Sequence, residues 1–228
     1  MTKELIKNIE DVTKIENLIS VFLSQKTGAD FSYINLIVAY EKLIPHGNHG
    51  ERTFFALLDL KMNFTILMID SFNSGAIWNS QNLIKKVENQ SILDNSSLFL
   101  KRLEIYYYDS NFIPRYRAMW DKIMGILLLI NSEELYNQYN SSKSKKKAFK
   151  KLSKEVEFLS DDFIDVLEHI QKFDDVFRTQ EIHRFGSLRK FSFLDSPHNS
   201  SEYILLKNSW NIMIDMLSKI DGLITEIK

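Results

Sequence analysis

Seven glycines and three prolines are all the punctuation available to this 228-residue chain. A sheet protein needs a tight turn at nearly every strand end, and such turns draw heavily on Gly and Pro, so this scarcity favours long helices. The apolar pattern agrees. Leu5, Ile9, Val12, Ile15, Leu18, Ile19 and Phe22 recur at spacings of three and four, which predicts an amphipathic helix over residues 4–25 that ends near Gly28. From Thr53 to Phe72 the apolar positions are too dense for one stripe, so this helix is expected to be covered on two sides. A last helix is predicted over 202–227, with Trp210, Met213, Leu217 and Ile220 facing inward.

Between these, the punctuation sets the expected boundaries. Asp30 is placed to cap a second helix carrying Ile34, Val38 and Tyr40, which should stop before Pro45. Pro45 to Gly50 reads as a loop. Leu98 to Tyr108 reads as a helix; Asn111 then caps the next one, with Pro114 in its first turn. Ser132 opens a short helix, and a further pattern spans 156–183 behind a cap at Ser160 to Asp162. A polar connection from Gly186 to Ser201 leads into the last helix. The expectation is one all-α domain over 1–228, a helical bundle of six or more helices, with an exposed lysine-rich segment at 141–154.

Composition narrows the function classes. Without cysteine there are no disulfides, thiolate metal sites or cysteine nucleophile. The mixed-charge N-terminus and a longest apolar run of only Ile126 to Ile130 point to a cytoplasmic protein with no membrane partner. A net charge of −1 means that nucleic acid could be met only through local basic patches. The lysines from Lys143 to Lys154 are one such patch, equally readable as a solvated loop. His46 and His49 with Glu51 resemble metal ligands only superficially, because nothing regular holds them; no metal or cofactor is expected.

The densest chemistry lies from Val176 to Lys190, where Arg178 and His183 stand five positions apart with Gly186, Arg189 and Lys190 beyond them. Five helical steps separate two positions by roughly 140° around the axis, within reach of a long arginine. Arginine stays protonated and holds phosphate, whereas histidine exchanges a proton near neutrality. The pair suits metal-free RNA cleavage, in which a base activates a 2′-hydroxyl against the adjacent phosphate. An ordinary basic helix end, where cations offset the macrodipole, uses the same residues.

Arg178-Thr179-Gln180-Glu181-Ile182-His183, followed by Gly186-Ser187-Leu188-Arg189-Lys190, resembles the Arg-x4–6-His signature of the HEPN superfamily, and Arg115 to Lys122 looks like the preceding helix of related groups. These are helical proteins, many of them metal-independent endoribonucleases of toxin or phage-defence systems. The resemblance implies an RNA endonuclease with His183 as acid or base and Arg178 on the scissile phosphate. Thr179 or Asp121 would support them, and Arg184, Arg189, Lys190 and Arg117 would contact RNA. Homodimers in this superfamily supply a second histidine, and a cognate antitoxin or defence partner is a further expectation. Active members often carry Asn, Asp or His where this chain has Thr179. The alternative is a non-catalytic RNA- or nucleotide-binding module, or a helical scaffold in a larger assembly.

Overall fold

The backbone is helical wherever a computed structural model describes it, at residues 6–28, 32–73, 96–156, 162–177, 190 and 200–227, apart from short connections. The helices are α1 (Ile9–Thr27), α2 (Leu36–Leu43), α3 (Gly47–Asn73), α4 (Ser96–Asn131), α5 (Glu133–Ser141), α6 (Lys145–Leu152), α7 (Asp162–Phe173) and α8 (Ser200–Glu226). The all-α expectation holds. The chain forms two compact units: Met1–Ile66, Met119–Phe163 and Met213–Lys228 make the first, and Leu67–Ala118 with Ile164–Ile212 make the second.

In the first unit, local chemistry explains most helix ends. Asn8 caps α1 by accepting from the Asp11 N–H, and Gly28 ends it at φ 70°, where a side chain would be strained. Asn35, rather than Asp30, caps α2, accepting from the N–H groups of Ile37 and Val38; Asp30 lies outside the described residues. Ser132 caps α5 as its sequence predicts. The core gathers Leu23, Leu36, Leu57, Trp120, Leu127, Phe149 and Leu217, all buried.

Two expected breaks are absent. Pro45 sits at the start of a 3-10 turn, Ile44–His46, and α3 begins at once at Gly47, so the expected loop is largely helix. His49, far from being a free ligand, is tied to the Leu129 carbonyl at 2.7 Å. Likewise α4 runs without a break through Pro114 instead of restarting at Asn111. A mid-helix proline costs about 3 kcal/mol. Here its neighbours Phe112, Ile113 and Tyr116 are all buried while Pro114 itself faces solvent, so packing on one side of the helix outweighs the missing N–H on the other. In the lysine segment, Lys145–Leu152 is a helix seated by Phe149 and Leu152, at 0% and 3% exposure.

Ile34 carries the strain of the first unit. It adopts φ 62°, a left-handed conformation that a β-branched residue rarely takes. Asp221 of α8 accepts from the N–H groups of Ile34 at 2.8 Å and Asn35 at 3.1 Å. Lys61 of α3 donates to the Ile34 carbonyl at 3.0 Å and pairs with Glu16 of α1. Burial pushes the Asp221 carboxyl above its ordinary range, with the two N–H bonds and Lys61 pulling the other way. The turn between α1 and α2 is therefore held by charged groups from three helices.

Candidate functional site

The second unit builds its site from α4, α7 and α8. Tyr116 stacks on Phe112 with ring centroids 5.5 Å apart and meets Phe173 at 4.5 Å. Phe173 in turn contacts Phe177 at 5.0 Å. Phe112, Tyr116, Phe173 and Phe177 are all fully buried. One helical step past Tyr116 lies Arg117, and one step past Phe173 lies Asp174; their side chains form an ion pair at 3.0 Å. Both residues are only 7% exposed. Removing two charges from water costs several kcal/mol per ion, and a close pair offsets this only when its geometry is good.

The backbone changes where the pair sits. After α7 ends at Phe173, residues 174–177 widen into a π turn. Such turns slip one extra residue into a helix, shift the phase of everything that follows, and occur often at functional sites. Residues 174–177 precede Arg178 in the sequence.

A histidine that the sequence leaves inconspicuous also packs here. His169 lies 2.7 Å, Nε2 to Oγ, from Ser209 of α8. The Ser209 hydroxyl donates its proton to the Leu205 carbonyl at 2.6 Å, so the imidazole Nε2–H must donate to Ser209. Tyr116 reaches the backbone carbonyl of the same serine at 2.8 Å. Burial, with help from Lys172, lowers the His169 pKa below its ordinary 6.5 and keeps the ring neutral. Ser209 is fully buried, so this pair is a structural tie and not an accessible nucleophile.

Of the residues singled out from sequence, Arg178, Thr179, His183, Arg184 and Arg189 lie outside the described residues. Lys190 is exposed. Arg117, expected to contact RNA, is instead buried and engaged with Asp174, a carboxylate 57 residues away that draws the guanidinium inward. Asp121 belongs to the first unit and lines a cleft of about 280 Å³ with Asp59, Lys122, Gly125, Tyr136, Tyr139 and Lys145. Lys122 is paired with Asp59 across that cleft. The Tyr139 hydroxyl donates to the Asp121 carbonyl at 2.8 Å. A Cβ on Gly125 would meet both tyrosine rings at 3.2 Å, so glycine is what lets them approach α4. Among the described residues, no group of three or more His, Asp or Glu side chains could hold a metal, and no helix is long and apolar enough to cross a membrane.

Comparison with protein-family models, curated proteins and solved structures finds no match. The reading of the site therefore rests on its own chemistry. Asp174 is the residue that sequence reasoning missed, although a signal was present: it is a carboxylate set among the apolar positions Ile170, Phe173 and Phe177, four residues before Arg178. Its cationic partner, 57 residues away, had no local signature.

Proposed function

We propose that the chain is a metal-independent RNA endonuclease of toxin or anti-phage type, working through Arg178 and His183. What supports this reading is the Arg178-x4-His183 spacing with Gly186, Arg189 and Lys190 beyond it, and a buried Arg117–Asp174 pair whose aspartate stands four residues before Arg178 in the chain. In this reading Asp174 and Arg117 are positioning residues that brace the segment preceding the motif in the chain.

The chemistry is a transesterification. A neutral imidazole takes the proton of a 2′-hydroxyl, and the oxygen attacks the neighbouring phosphorus. The bond to the 5′-oxygen breaks, and that oxygen takes a proton from an acid. The products are a 2′,3′-cyclic phosphate and a 5′-hydroxyl. Arg178 offsets the charge that builds on the non-bridging oxygens. One histidine serves as base, and a second copy of the chain in a homodimer supplies the acid.

The test is RNA cleavage by the purified protein in excess EDTA. Cleavage should survive the chelator, disappear in His183→Ala and Arg178→Ala, and leave cyclic phosphate ends. Equal cleavage by wild type and His183→Ala would overturn the proposal. Thr179, standing where active relatives of this signature often carry Asn, Asp or His, favours a second reading as a non-catalytic RNA-binding module. That reading predicts no cleavage by any variant and RNA affinity that persists in His183→Ala.

A further inference from the structure

Helix α6 opposes its own electrostatics. Helices α1 and α5 place Glu10 and Asp11, or Glu133 and Glu134, in their first turns, where carboxylates favour the N-terminal end of the macrodipole. The first turn of α6 holds no acid but three lysines, and its N-cap residue Ser144 makes no side-chain capping bond. Lys147 and Lys151 then stand one turn apart as like charges, which destabilises a helix further. What holds α6 is Phe149 and Leu152, buried on one side. Lys147, Lys150 and Lys151 lie on the opposite side, within an arc of roughly 100°. Lys143 and Lys154 extend the exposed row at either end, and no carboxylate occurs between them. The whole chain has 30 acidic against 29 basic residues, so this segregation is local. No ion pair found among the described residues engages these five lysines.

We infer that this face of α6 is a docking surface for the phosphodiester backbone of a nucleic acid, bound without regard to sequence. Three features select that partner. A membrane-surface helix needs apolar side chains free to enter lipid, and those of α6 are buried in its own unit. Protein interfaces are depleted in lysine and need an apolar centre, which this face lacks. Lysine is a mobile point charge suited to phosphate, and the face offers no arginine fork or aromatic ring to read a base. A bound strand would also relieve the repulsion that α6 carries alone. The inference goes beyond the ribonuclease reading and does not require it.

The experiment measures binding of fluorescent poly(U) and poly(dT) over a range of KCl, with the full chain carrying His183→Ala so that no probe is consumed. Against it stands the same protein with Lys147→Gln, Lys150→Gln, Lys151→Gln and Lys154→Gln combined. Four lost phosphate contacts should lower the slope of log affinity against log salt by about 3, which over a fourfold rise in salt is a change of roughly fiftyfold. The four-arginine counterpart should keep the slope, as should Lys14→Gln with Lys207→Gln, which removes exposed lysines elsewhere. Both probes should behave alike, since the backbone is what is read. An unchanged slope in the glutamine variant overturns the inference. So does its loss in the arginine variant, or binding to phosphatidylserine vesicles but to neither strand. If wild type fails to cleave RNA yet the glutamine variant loses its slope, the ribonuclease reading falls and this one stands.

Discussion

The two units treat charge in opposite ways. Among the described residues, the first buries a single ionic side chain, Lys61, and keeps pairs such as Arg52–Glu133 and Lys122–Asp59 at its surface. The second buries Arg102, Asp109, Arg117 and Asp174. Charges in a dry interior add little net stability and are often replaceable by apolar groups at no cost. Their concentration in the second unit marks where the chain has accepted an energetic penalty.

The sharpest way to break this contrast is at Asp174. Asp174→Ala should cost about 3–5 kcal/mol in urea unfolding, because it removes the buried carboxylate that pairs with Arg117. Replacing both, as Arg117→Met with Asp174→Leu, should restore stability to within about 1 kcal/mol of wild type or exceed it. That double variant should nevertheless lose RNA cleavage. If it cleaves normally, the pair is structural and the contrast between the units carries no functional meaning. The corresponding change in the first unit is smaller: Lys61→Met removes the bond to the Ile34 carbonyl and the pairing with Glu16, and should cost roughly 1–3 kcal/mol without affecting cleavage. Smaller again is Gly125→Ala, where tyrosine rings at 3.2 Å must yield by a few tenths of an ångström. About 1 kcal/mol is expected, read as a shift in urea midpoint with the slope unchanged.

The smallest effects separate the units by sign. His169 has its pKa lowered in the folded state, so its neutral form contributes stability above the ordinary value of 6.5 that is lost as pH falls toward the lowered one. Asp221 has its pKa raised, so its contribution is full below the ordinary 3.8 and lost as pH rises through the raised value. Melts across the acid range should show His169→Gln gaining on wild type as pH falls below 6.5. Asp221→Asn should gain on wild type as pH rises from 3.8. Parallel curves in either case would remove burial as the cause of that shift.

Much of this architecture was legible before any coordinates. The all-helical class followed from sparse glycine and proline and from apolar spacing, because a helix is stabilised by contacts three and four residues apart, which a sequence displays directly. Ser132 as a cap and Gly28 as a stop were local chemistry of the same kind. The errors were also physical. Pro114 and the stretch from Pro45 to Gly50 looked like breaks, since intrinsic propensity is a weak prior that buried neighbours override. Of the candidate site, the motif is visible in the sequence as a resemblance, whereas the buried Arg117–Asp174 pair is not, because its partners stand 57 residues apart.

By itself, then, the sequence determined that the chain is helical and where several helices begin and end. Only the tertiary structure decided that Arg117 turns inward to Asp174, that Ile34 is held in a left-handed turn by Asp221 and Lys61, and that the lysines of α6 form one face. Each of these depends on partners from distant parts of the chain, or on which side of a short helix is covered. Contact over long sequence separation leaves no local periodicity to read.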